Sequence, residues 1–167
     1  MSWFMVAMPL HVALENGGLA RAADASLSFG LPDEPPVAGE PPTVVQVLSA
    51  FRQAGCHGDA WFRLAVPDCG TGLAVCPDHV NCSTVGGLDL GEVMLGVDGR
   101  SRSEPLEPGD AVTDIGFRKP AGGAVLAAIL ALASQSGPWL VCDDGGDCVF
   151  VVSPGDDPAH LAAHWPW

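Results

Sequence analysis

Tyrosine is absent from this 167-residue chain, and lysine occurs once, at Lys119. Seven basic residues stand against 20 acidic ones, a formal net charge of −13. Nucleic-acid affinity rests on neutralising phosphates, and anionic lipid surfaces attract cations, so this balance argues against both partners. No basic residue precedes Arg21, and Pro9, His11 and Glu15 interrupt the apolar start. A secretory signal wants a positive beginning and an unbroken apolar stretch, so Met1–Leu14 is read as an edge-to-core strand. No run reaches the ~20 apolar residues of a membrane span. The expected compartment is the cytoplasm, with no membrane partner.

Catalytic signatures are missing as well. There is no GxSxG elbow, no GxxxxGK[ST] phosphate loop and no GxGxxG turn. Close-set CxxC pairs, the usual mark of zinc modules, do not occur among Cys56, Cys69, Cys76, Cys82, Cys142 and Cys148. One stretch, CPDHVNC, places His79 between Cys76 and Cys82. With Cys69 as a fourth donor, Cys69, Cys76, His79 and Cys82 form a chemically sensible N/S set for zinc. Its spacing matches no standard module, so the expectation is no cofactor, with zinc at those four residues as the alternative. In a reducing compartment, Cys142 and Cys148, facing each other across a hairpin, stay small hydrophobes. DDGGD at residues 143–147 fails as a calcium loop because the twelfth position is Pro154. His160 and His164 share a helix face but lack the intervening Glu of a zinc protease, and read as a surface pair.

What the chain does have is apolar material, 48% of its residues. Residues 112–152 organise it: a strand at Val112–Phe117, an Ala/Leu-rich helix over 121–134 apolar on every face, and two strands, Trp139–Cys142 and Cys148–Val152, about a polar turn. Upstream, a strand is expected at 2–8, then a long connection over 19–42 rich in proline. Thr43 reads as the N-cap of an amphipathic helix carrying Val44, Val47, Leu48 and Phe51. Strands follow at Ala60–Val66 and 88–97, the second with Leu88, Leu90, Glu92, Met94 and Gly96 on one face. A short helix is expected at Pro158–His164.

The element order gives an α+β fold: an antiparallel or mixed sheet with helices packed on one face. It also reads as possible tandem βαββ units. The whole is a single domain, 1–167, with possible halves 1–98 and 110–167 joined by the polar connection 98–110.

Functionally, the composition points to an acidic cytosolic binding protein, more consistent with a non-enzyme. An example is a bacterial immunity protein or antitoxin that neutralises a basic toxin such as a nuclease. Such a partner would be steered to an acidic patch formed by Glu104, Glu107, Asp110, Asp143, Asp144, Asp147, Asp156 and Asp157. Trp165 and Trp167 offer aromatic anchors if the tail is not folded back. The alternative is a small metal- or thiol-dependent enzyme using the Cys/His-rich region 56–82.

Overall fold

In the computed structural model, residues 3–66 and 72–167 are described. The strands are β1 (Phe4–Pro9), β2 (Leu27–Phe29), β3 (His57–Ala60), β4 (Asp89–Val97), β5 (Val112–Arg118), β6 (Trp139–Asp143) and β7 (Cys148–Val152). The helices are α1 (Leu10–Glu15), α2 (Gly18–Asp24), α3 (Val44–Gln53), α4 (Gly122–Ser136) and α5 (Pro158–His164). All seven strands join one mixed sheet in the order β2-β7-β6-β1-β5-β4-β3. The fold is α+β, as the element order implies.

The sheet is continuous, and its order rules out two tandem units. β1 lies between β5 and β6, antiparallel to both. A strand from the first half is thus the central strand of the second, and β1 is no edge strand. Its residues alternate between half-buried and buried, with Met5 and Ala7 inaccessible to solvent.

α4 is buried as its all-round apolar sequence requires. Ala124, Val125, Leu126, Ala128, Ile129, Leu132 and Ala133 are buried, and the intervening Ala127, Leu130 and Ala131 pack against the same cluster. α3 lies beside it, begun by a capping box in which Thr43 and Gln46 satisfy each other's backbone amides. Together they cover one sheet face, formed by Met5, Ala7, Val93, Ile115, Phe117, Val141 and Phe150.

Not every helix lies on that face. Leu10, Ala13 and Ala22 of α1 and α2 join Leu140, Val149 and Val151 in a second cluster, built from the opposite side of β6 and β7. Residues 10–15 form a helix that the sequence does not announce, and the long connection expected over 19–42 opens instead with α2 and β2. Both helices are only six or seven residues long, too short for a periodic stripe to declare itself. β2 exists through parallel pairing with β7, a tertiary interaction invisible locally.

Two strand assignments also shift. Ala60–Val66 is not a strand: the pairing residues are His57–Ala60, and beyond them only Leu64 bridges, to Leu106. Trp61 and Val66 are exposed, and Arg118 stacks over the Trp61 ring at 5.7 Å. In β4 the expected face breaks at Gly91, after which Val93 and Leu95 are buried while Met94 is not. Gly91 has φ +66°, and a Cβ there would collide with the carbonyls of Arg118 and Lys119. The bulge moves the buried set by one residue.

That position gives a stability prediction. Gly91→Ala should lower the unfolding free energy by on the order of 3 kcal/mol, because a left-handed backbone and a backbone clash add together. Urea titration of the variant against wild type checks it; a loss under about 1 kcal/mol would show that the bulge relaxes freely.

Candidate functional site

Strand directions sort the carboxylates. β1, β2, β3, β4 and β7 run one way, and β5 and β6 the other. At the end where β1, β4 and β7 finish lie the β4–β5 connection, with Asp98, Glu104, Glu107 and Asp110, and the β7–α5 turn, with Asp156 and Asp157. The β2–α3 connection is anchored there at both ends. Gly30 abuts the Val151 carbonyl, and the Val112 N–H donates to the Pro42 carbonyl at 2.8 Å. Asp33, Glu34 and Glu40 belong to that connection and are exposed.

The β6–β7 turn is at the other end of the sheet. Asp143 pairs in register with Met5 at the start of β1, and the Asp144 N–H donates to the Phe4 carbonyl. The eight carboxylates expected to form one patch are therefore divided. Glu104, Glu107, Asp110, Asp156 and Asp157 share one end, while Asp143, Asp144 and Asp147 occupy the opposite one. The division follows from β6 running antiparallel to β1, a pairing the sequence does not reveal.

Several of these carboxylates hold their own turns. Asp110 accepts from the Glu107 N–H at 2.8 Å and pairs with Arg100, also at 2.8 Å. Glu104 accepts from Ser101 N–H, Asp156 from Ser153 N–H and Asp157 from His160 N–H, the last as the cap of α5. Asp143 accepts from the Cys148 N–H. Glu107, Asp144 and Asp147 are exposed.

The C-terminal tryptophans are folded back. Trp165 donates its indole N–H to the Gly122 carbonyl at 3.0 Å and meets Phe150 edge-on, with Trp167 edge-on to Trp165 in turn. Both pack against the main core cluster, so they serve this chain and are not free anchors. His160 and His164 pack as an aromatic pair against Phe29.

The cysteine-rich region changes most from its sequence reading. Three donors converge: His57, Cys76 and Cys82, all within 4.8 Å of one another. Cys82 Sγ lies 3.3 Å from His57 Nε2. His79 is exposed on the turn between the cysteines and is not one of the three. Cys69 lies outside the described residues. His57 was missed because β3 is four residues long and lacks strand-forming types. The one available sign was a Cys-His pair, Cys56-His57, directly after the Gly55 helix stop. Cys142 pairs in register with Val149, so it does not face Cys148 directly.

Three thiols, those of Cys56, Cys82 and Cys148, are shifted upward. Burial pushes Cys56, 1% exposed, up to about 11. Cys82 is raised by desolvation, then by its contact with Cys76 and by the negative charge of Cys76, Asp89 and Asp78. Cys148 is raised by desolvation and by Asp143 and Asp147. Each of these shifts favours the thiol, whereas a catalytic cysteine needs its thiolate favoured.

Among the described residues, no helix is long and apolar enough to cross a membrane. Comparison of the chain with protein-family models, curated proteins and solved structures finds no match in any of the three.

Cys56 yields a pH prediction. Its thiol ionises near 9.0 when unfolded but near 11 when folded, so the folded state holds the proton more tightly. The resulting stability is fully present below about pH 9 and is lost as pH rises towards about 11. Denaturant unfolding across that range should show wild type losing more stability than Cys56→Ala. Parallel curves for the two proteins would contradict the assignment.

Proposed function

We propose that this chain is an acidic cytoplasmic binding protein that captures a basic protein partner, in the manner of an immunity protein or antitoxin that sequesters a basic toxin. The observation that carries the reading is the gathering of three acidic connections at one end of the sheet. Nine carboxylates lie on the segments that meet there: Asp33, Glu34, Glu40, Asp98, Glu104, Glu107, Asp110, Asp156 and Asp157. Arg63, Arg100 and Arg102 are the nearby cations; Arg100 is engaged by Asp110, and Arg63 donates to the Ser103 carbonyl.

Such an end steers a cationic surface by long-range field. Carboxylates that also cap turns are held in fixed positions, which favours a defined docking geometry over diffuse attraction.

The product of the gene adjacent to this one is the partner to test, with binding measured at two salt concentrations. Replacing Asp33, Glu34, Glu40 and Glu107 by their amides should slow association by about 10-fold at low salt, with a smaller effect at high salt. The amide variant of Asp143, Asp144 and Asp147 should bind nearly as wild type does. Binding that ignores salt, or that depends on the second set and not the first, would refute the reading.

A further inference from the structure

Residues 74–87, in the connection from β3 to β4, are poorly held by apolar burial. Phe62, Leu64, Leu73 and Leu88 touch the core near the ends of the connection, but between Leu73 and Leu88 the valines Val75, Val80 and Val85 are 75%, 86% and 73% exposed. A stretch of this length with no core-packed hydrophobic residue of its own needs some other fastening. Polar contacts shape it locally. The Asp78 carboxylate accepts from the Val80 and Asn81 backbone N–H groups and from the Asn81 side chain. The Cys82 N–H donates to the Asp78 carbonyl, and the Gly87 N–H to the Cys82 carbonyl at 2.7 Å.

Both limbs of the connection converge on His57. The Gly58 N–H donates to the Ala74 carbonyl on one side, and the His57 N–H to the Leu88 carbonyl on the other. This brings Cys76 and Cys82 to the imidazole. Gly87 is required for the approach, because any Cβ there would overlap the Cys82 sulfur. The imidazole is 6% exposed, and its buried Nδ1 has no hydrogen-bond partner. That nitrogen lies 3.9 Å from a carboxylate oxygen of Asp89.

We infer that His57, Cys76 and Cys82 bind a zinc-class divalent cation that fastens the β3–β4 connection to the sheet, with Asp89 as a positioning residue behind His57. Bonds of about 2.0–2.3 Å to a tetrahedral ion set its N and S donors roughly 3.3–3.8 Å apart, the spacing these side chains already approach. Two thiolates balance the charge of a divalent ion, so the filled site is neutral apart from Asp89. Thiolate and imidazole together select zinc over magnesium or calcium, which prefer oxygen. Binding displaces one proton from each thiol to solvent, with no change in oxidation state. The His57 ring then offers Nε2 to the metal and its Nδ1–H to Asp89, the arrangement that commonly orients a histidine ligand. The fourth position falls to water or one further donor.

The test uses the full chain, purified with a thiol-free reductant, stripped with chelator, and titrated separately with Zn²⁺ and Co²⁺. One ion per chain should bind. Co²⁺ should give tetrahedral visible bands and a thiolate charge-transfer band, and Zn²⁺ should raise the unfolding midpoint. Cys76→Ser and Cys82→Ser should each weaken binding on the order of 100-fold and diminish the charge-transfer band, while Cys148→Ser changes neither. Asp89→Asn should keep the band but weaken binding by about 10-fold. A folded wild-type chain that takes up no metal overturns the inference, as does a Cys76–Cys82 disulfide in reduced protein. So does binding that survives in Cys76→Ser and Cys82→Ser. These outcomes concern metal alone, so they stand or fall separately from capture of a basic partner.

Discussion

Burial of α4 is the constraint on which the rest of the molecule depends. A helix apolar on every side cannot be left on a surface, because each exposed leucine forfeits roughly 2 kcal/mol of burial. The sheet covers one side of α4, and α3 and the returning C-terminal tail cover others. Carboxylates are accordingly kept out of this core, and most of them lie in the connections between elements. The interior admits almost no polar group: His57 is the buried polar residue among those described.

Placing most of the acidic charge in connections has a geometric result. Strand direction, not sequence proximity, decides which acidic segments become neighbours. Asp147 and Asp156 are nine residues apart yet lie at opposite ends, because β7 runs between them. Asp33 and Glu107, far apart in sequence, sit in connections anchored at the same end.

The sequence makes legible those elements whose signal is local. α4 declares itself by composition, α3 by its Thr43 cap and stripe, the β6–β7 hairpin by its Asp-Gly turn, and α5 by Asp157 before Pro158. Elements created by pairing are not legible. β2 and β3 are three and four residues long and exist because β7 and β4 lie alongside them. The misplacement of the strand at 60–66 has the same origin: Trp61–Val66 carries the apolar signal, but β4 pairs with His57–Ala60. Of the candidate metal site, Cys76 and Cys82 are readable from CPDHVNC. His57 is not, because its partnership is made by the return of the chain from residue 88.

The central position of β1 bears on how the protein is made. Met5 finds its two neighbours, Phe117 and Asp143, only about 110 and 140 residues later in the chain. During synthesis β1 therefore emerges with both of its edges unsatisfied, and it must wait until residues 112–143 have appeared. Contacts this distant in sequence slow folding, since a large loop must close before they form. The nascent chain carries an apolar strand without partners through that interval, a state prone to mispairing with other chains. The strong like charge of the connections repels neighbouring copies over the same period, so the acidity also protects the chain while its sheet is incomplete.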